Sequence, residues 1–294
     1  MISDFQLTSA SEDILFPTKI TFCSKGKLLV LDRPWIMGIL NVTPDSFFEN
    51  SRLLTSKEGF LKVSERMIFE GVDILDIGGY SSRPMAEDIS IDEELKRTIS
   101  TIEKIKREFP DILISIDTFR SKVAEEAVAA GADFVNDISA GELDPSMIEL
   151  VGKLNVPYIA MHMKGNPKTM QTKTDYEDIL SEIMHYFSNK LNLCKKAGIK
   201  DVWIDPGFGF AKTLEQNYWI LKNLAYFKRI QAPIMVGVSR KSMIQKILGV
   251  TAEDALNGTT ALNMAALING ANILRVHDVK EAKETIKLYK EIYP

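Results

Sequence analysis

Polar residues end several apolar runs of this chain, at positions that buried cores seldom give them: Asn41, Gly78-Gly79, Asp117, Asn136-Asp137, His162, Asp205, Ser239 to Lys241, and Arg275 with His277. Asp117 lies deep in ILISIDTF, where an ionised carboxylate without a partner is costly, so it must have one. Asn136 and Asp205 raise the same question and are placed to answer it together. A flat heterocycle with adjacent ring N–H and amino donors could engage one carboxylate through two hydrogen bonds, as a guanidinium does. Capping of the following helices is the alternative duty for any one of the three.

A second set is basic. VSRKSMI (238–244) puts Arg240 and Lys241 at the start of a helix, where the dipole disfavours cations, which suggests compensation by an anionic ligand or an acidic residue, with a solvated Lys-Arg pair as the alternative. Ser242 adds a hydroxyl and a backbone N–H for an anion at the same helix start. In ILRVHDV, Arg275 and His277 are two residues apart and project from the same strand face. Such a pair suits a phosphate or diphosphate.

These residues converge only if the elements bearing them end on one face. Eight β-rich runs carry them: 35–42, 72–79, 112–119, 134–139, 157–163, 202–207, 233–239 and 273–279. Their apolar continuity marks strands buried on both faces, as in parallel sheets. Amphipathic helical segments lie between, and two of them, GFLKVSERMIFEG and SKVAEEAVAAG, close on Gly71 and Gly131. Residues 18–32 alternate around Lys25-Gly26 as a hairpin. The pattern predicts an α/β fold, a single (β/α)8 TIM barrel whose N-terminal β-hairpin closes the barrel floor. Residues 1–34 are the N-terminal segment with the hairpin, part of the barrel domain, and 35–294 the catalytic barrel. In such a barrel the carboxyl ends of all strands share one mouth, with a frequent phosphate site near strands seven and eight. The long connections 43–56 and 80–92 are candidate active-site loops, because long loops in compact domains are often functional.

Composition narrows the function. A length of 294 residues suits one α/β barrel, and a net charge of -4, with basic and acidic residues interspersed, offers no extended surface for nucleic acid. Cys23 and Cys194 form no metal-type spacing, and three histidines without HxH or HExxH argue against catalytic zinc. No export signal or membrane span is apparent, so a cytoplasmic protein is expected. DPGFGFAK (205–212) lacks dinucleotide spacing and reads as a close loop. Asn257-Gly258-Thr259 reads as a helix start capped by Thr259 or Thr260, His185 as an ordinary helix residue, and EKIKRE (103–108) as a solvated helix face.

Together LNVTPDSF (40–47), DIGGYSSRP (76–84), SIDTFRSKVAEEAVAAGADFVNDIS (115–139), MHMKGNPKTMQ (161–171), DPGFGFAK, GVSRKS (237–242) and RVHD (275–278) resemble the dihydropteroate synthase family, in family order, from about Trp35 to the carboxyl terminus. The resemblance implies condensation of 6-hydroxymethyl-7,8-dihydropterin pyrophosphate with p-aminobenzoate, releasing pyrophosphate, with Mg2+ assisting and a homodimeric assembly. It implies that Asn41 contacts Mg2+ and that Asp117, Asn136 and Asp205 bind the pterin, with Met161 and Phe210 packed near it. Gly237 and Lys241 lie toward the pterin; Arg275 and His277 grip the diphosphate; Ser242 and Ser82-Arg83-Pro84 hold p-aminobenzoate. Asp117, Lys241, Arg275 and His277 are the expected catalytic set. Tyr80-Ser81-Ser82-Arg83-Pro84-Met85 departs from the usual Glu-Ser-Thr-Arg-Pro-Gly, and Phe48-Glu49-Asn50-Ser51 from Ser-Asp-Gly-Gly. The alternatives are a barrel methyltransferase using methyltetrahydrofolate, which would need no diphosphate site, and a catalytically inactive pterin-binding paralogue.

Overall fold

The computed structural model describes residues 20–43, 59–81 and 88–294. Strands β1 (Ile20–Ser24) and β2 (Lys27–Leu31) form the antiparallel hairpin. Lys25 and Gly26 both have positive φ (49° and 81°), the turn geometry that matches the twist of paired strands. Eight parallel strands follow: β3 (Trp35–Asn41), β4 (Ile74–Gly78), β5 (Leu113–Asp117), β6 (Phe134–Asp137), β7 (Tyr158–Met161), β8 (Val202–Asp205), β9 (Met235–Val236) and β10 (Ile273–Val276). Their order is β8-β7-β6-β5-β4-β3-β10-β9, and a parallel bridge between Ile204 and Ile234 closes the ring.

The helices are α1 (Gly59–Glu70), α2 (Ile91–Glu108), α3 (Ser121–Ala130), α4 (Met147–Leu154), α5 (Ile179–Lys196), α6 (Leu214–Lys222), α7 (Ser242–Leu248), α8 (Leu256–Ile268) and α9 (Val279–Ile292). The expected barrel with its hairpin is present, and α1 and α3 end before Gly71 and Gly131. Each strand is shorter than its apolar run, trimmed at the mouth end where the residues beyond become loops and, in β4, β5, β7 and β9, at the amino-terminal end as well. Thr259 is not a helix cap: α8 begins at Leu256, and the Thr259 hydroxyl accepts the Arg240 N–H at 3.0 Å. In the EKIKRE run, Lys106 is not a solvated charge, since it donates to Asp133 at 2.7 Å. Of the candidate loops, residues 44–56 and 82–87 fall outside the described residues.

Strand alternation divides the core in two. Ile36, Leu75, Ile77, Ile114, Ile116, Val135, Tyr158, Ile204, Val236 and Leu274 pack outward under the helices. Trp35, Met37, Ile74, Phe134, Ile159, Trp203, Met235 and Ile273 point inward and meet Phe22 and Leu31 of the hairpin. Phe22 is the plug. Its ring meets Trp35 at 5.3 Å, Phe134 at 5.6 Å and Trp203 at 5.2 Å between centroids, and each such contact is worth about 0.5–1.5 kcal/mol beyond burial. The floor is therefore apolar and sealed, and chemistry is confined to the other end.

Candidate active site

Further toward the mouth, the inward positions of most strands change character. Ile74 is followed on the same face by Asp76, Phe134 by Asn136, Ile159 by Met161, Trp203 by Asp205, Met235 by Gly237, and Ile273 by Arg275 and then His277. Parallel pairing aligns Asn41, Gly78, Asp117 and Asn136 across four adjacent strands. A β-carbon on Gly78 would lie 3.3 Å from Asn41 Oδ1 and 3.6 Å from Asp117 Cβ, so that glycine leaves the space between amide and carboxylate open. The sequence-predicted set thus gathers at one mouth. Ser82, Arg83 and Pro84 lie outside the described residues.

Asp117 has its partner, and it is Arg275. Arg275 Nη2 donates to Asp117 Oδ2 at 2.5 Å, while Nε donates to Asp76 Oδ2 at 2.6 Å. Asn136 Nδ2 donates to the same Asp76 oxygen at 3.1 Å. Asp76 is fully buried, and sequence reasoning gave it no role. The signal was present: an acid between apolar residues in VDILDIGG calls for a partner as strongly as Asp117 does. Burial pushes the Asp117 carboxyl up to about 7, against the pull of Arg275 and with the help of Asp76 beside it. Arg275 remains firmly protonated, because Asp76 and Asp117 outweigh the cost of its burial.

Across the mouth, Asp205 accepts the Gly207 N–H on Oδ1 at 2.8 Å and keeps Oδ2 without a protein partner among the described residues. Gly207 has φ of 73°, and a β-carbon there would lie 2.1 Å from the His162 carbonyl oxygen, so only glycine permits this close turn. Burial raises the Asp205 pKa, opposed by Lys241. Lys241 Nζ donates to the Phe208 carbonyl at 2.5 Å and lies 5.1 Å from the Phe210 ring centroid. Burial lowers its pKa to about 8, with Asp205 opposing, which leaves it mainly cationic at neutral pH.

The adjacent cations point opposite ways. Arg240, at φ of 55°, turns away from Lys241 and binds Asp278 with two hydrogen bonds of 2.8 and 2.6 Å. An acidic residue, rather than a ligand, thus offsets its charge, and the pair fixes the turn from which Lys241 enters the mouth. Ser239 does the same for His277: its hydroxyl accepts the His277 backbone N–H at 3.2 Å and lies 3.0 Å from Nδ1. Ser242 is exposed at the start of α7. Met161 is buried with Ile138, Met163 and Met170 in an apolar patch against which Phe210 packs.

Two further features were missed. His162, expected at the mouth, is buried, with Nδ1 3.0 Å from Lys212 Nζ. Burial holds Lys212 down to about 7 and His162 well below its ordinary range. Glu94 is fully buried, bonded to Thr118 at 2.7 Å and Arg120 at 2.9 Å, and ties α2 to the end of β5. Cavities of about 410 and 680 Å3 lie beside the hairpin turn and beside α5, away from Asp117 and Arg275. The convergence of charge, not cavity volume, marks the site.

The arrangement suits a flat, nitrogen-rich ring carrying a charged leaving group. Acid and amide acceptors stand beside an apolar wall, and three basic side chains stand near the ends of the last two strands. No group of three or more His, Cys, Asp or Glu residues among the described residues could hold a metal. The neutral Asn41 amide oxygen fits a magnesium ion that keeps waters and arrives with phosphate oxygens, rather than one caged by protein.

The family model described as "Pterin binding enzyme" matches residues 37–277. Dihydropteroate synthase from Escherichia coli strain K12 is 41% identical over 267 residues, covering 90% of this chain and 94% of that protein. The Synechocystis enzyme of the same name is 43% identical over 259 residues, covering 87% of this chain and 89% of its own length. Among solved structures, Yersinia pestis dihydropteroate synthase in a sulfonamide drug complex superposes with a TM-score of 0.88 at 37% identity, covering 93% of this chain and 99% of that one. The Xanthomonas albilineans enzyme with 4-aminobenzoic acid gives 0.85 at 35% identity, covering 94% and 98%.

Proposed function

The chain belongs to the pterin-binding enzyme family and acts as a dihydropteroate synthase in folate biosynthesis, and on that premise we propose how its own residues perform the reaction. Asp205, Asn136 and Asp117 hold the dihydropterin ring through its N–H and amino donors, with Met161 and Phe210 against its faces and Gly237 leaving room beside it. Lys241, His277 and the unspent donors of Arg275 take the diphosphate. Ser242, with Ser82, Arg83 and Pro84, holds p-aminobenzoate. Asn41 would hold Mg2+, which when bound neutralises diphosphate charge.

The observation that supports this reading best is the Asp76–Arg275–Asp117 chain, which holds a buried, oriented cation among ring-binding acids in the mouth that Lys241 also enters. As the carbon–oxygen bond at the pterin methylene breaks, its electron pair leaves with pyrophosphate, and the preorganised cations stabilise that growing charge. The ring delocalises the positive charge left behind, and ionised Asp117 favours it, so the path is SN1-like. The neutral aromatic amine then attacks the methylene carbon and loses its proton to solvent. No strong general base is needed, and juxtaposition of the substrates supplies much of the remaining acceleration. A homodimer rests on family membership alone, and a cytoplasmic setting on the sequence-based expectation. No helix among the described residues is long and apolar enough to cross a membrane.

A coupled assay for pyrophosphate release, with and without p-aminobenzoate, tests the reading. One pyrophosphate per dihydropteroate, formed only with both substrates, is expected. Absence of release, or methyl transfer from methyltetrahydrofolate, overturns it.

A further inference from the structure

The guanidinium of Arg275 is divided unusually between two acids. Nε and Nη2 flank one edge of the planar group, and that edge is consumed by one oxygen of Asp76 and one of Asp117. Nη1 has no partner among the described residues. Two anchors on one edge fix the plane, so the remaining end of the fork is presented in a single direction. Asp117 alone would leave Arg275 free to turn about one hydrogen bond. Asp76 supplies the second anchor, from β4 and one inward position below Gly78, where solvent does not reach it.

Asp76 also holds Asn136. Both donors land on Oδ2, while Oδ1 is buried with no protein partner among the described residues. One carboxylate oxygen therefore aligns the basic group from β10 with an amide from β6. We infer that Asp76 is a positioning residue for the reaction: without touching substrate, it aims the free end of Arg275 at the diphosphate and turns the Asn136 amide so that its oxygen remains available to the pterin. The inference rests on the functional reading above and adds a residue to it.

The test is a double-mutant cycle on the full-length enzyme. Asp76→Asn keeps the shape and one acceptor but removes the charge that anchors Nε. Acting through Arg275, it should lower kcat by roughly 20- to 100-fold while KM for p-aminobenzoate stays within about threefold. In an Arg275→Ala background the same substitution should cost at least about fivefold less than in the wild type, because only its hold on Asn136 is left to lose. Equal losses in the two backgrounds, or a loss below threefold in the wild-type background, overturn the inference. Asp76→Ser, run through the same cycle, replaces the asparagine variant should that one not fold. Titration calorimetry with inorganic pyrophosphate separates this inference from the functional reading: Asp76→Asn should weaken binding about tenfold or more, and unchanged affinity overturns the positioning role. Weakened binding in a protein whose wild type makes no dihydropteroate sinks the functional reading alone.

Discussion

Asp117 gives the account its sharpest pH signature. Its carboxyl is pushed up to about 7 by burial, while the ionised form is the one that favours positive charge on the pterin ring. Lys241, held down to about 8, must be protonated to meet the diphosphate. The sign follows: kcat/KM falls below pH 7 as Asp117 gains its proton and falls above pH 8 as Lys241 loses one, giving a narrow bell. One pH unit below the acidic midpoint only about one enzyme in eleven is ionised, a loss of about tenfold with unit slope. Replacing Asp117 with Asn removes the acidic limb. A full charge about 4 Å away at an effective dielectric of about 20 is worth about 4 kcal/mol. Half-developed positive charge makes that about 2 kcal/mol, or roughly 30-fold in kcat. Pyrophosphate release measured from pH 5.5 to 9.5 with saturating p-aminobenzoate checks both. An acidic limb persisting unchanged in Asp117→Asn, or a wild-type profile flat through pH 7, refutes the assignment.

Arg275→Ala should lower kcat and kcat/KM together by about 10²- to 10³-fold, the cost typical of removing one preorganised donor to a developing charge; an effect confined to KM would undermine the leaving-group role. The same substitution strands Asp76 and Asp117, so urea unfolding should report a loss of about 3–5 kcal/mol, and unchanged stability would contradict the observed ion pairs. Lys212 titrates near 7 when folded against an ordinary value of 10.5. The unfolded chain therefore binds one more proton between those values, and stability rises with pH across that window by up to roughly 5 kcal/mol. In Lys212→Met the slope should be shallower by one proton, and an identical slope in the two proteins speaks against burial of the charge.

Much of the architecture was legible because strand and helix periods are written into apolar spacing. The eight runs, the hairpin at Lys25-Gly26 and the stops before Gly71 and Gly131 follow from rules acting within a dozen residues. So did the convergence of Asp117, Asn136, Asp205 and Arg275, since every parallel strand of a barrel delivers its carboxyl end to one face. Pairings were not legible. That Arg275 would bind Asp117, 158 positions away, and Asp76, 199 positions away, depends on the stagger of the barrel, which no local pattern reports. Arg240 and Lys241 looked equivalent in sequence, yet a positive φ at Arg240 sends one to Asp278 and the other into the mouth. His162 shared the strand-end pattern of the site residues, but the neighbouring Lys212 and Tyr186 enclose it.

A crystal structure with a pterin and pyrophosphate bound together would show whether these residues meet both halves of the substrate. The ring should be seated with Asp205 Oδ2 within about 3.2 Å of its donors. The diphosphate should contact Lys241, His277 and Arg275 Nη1 while the Asp76–Arg275–Asp117 contacts stay intact. A ring bound elsewhere, or a diphosphate remote from all three basic residues, contradicts this placement of the substrate.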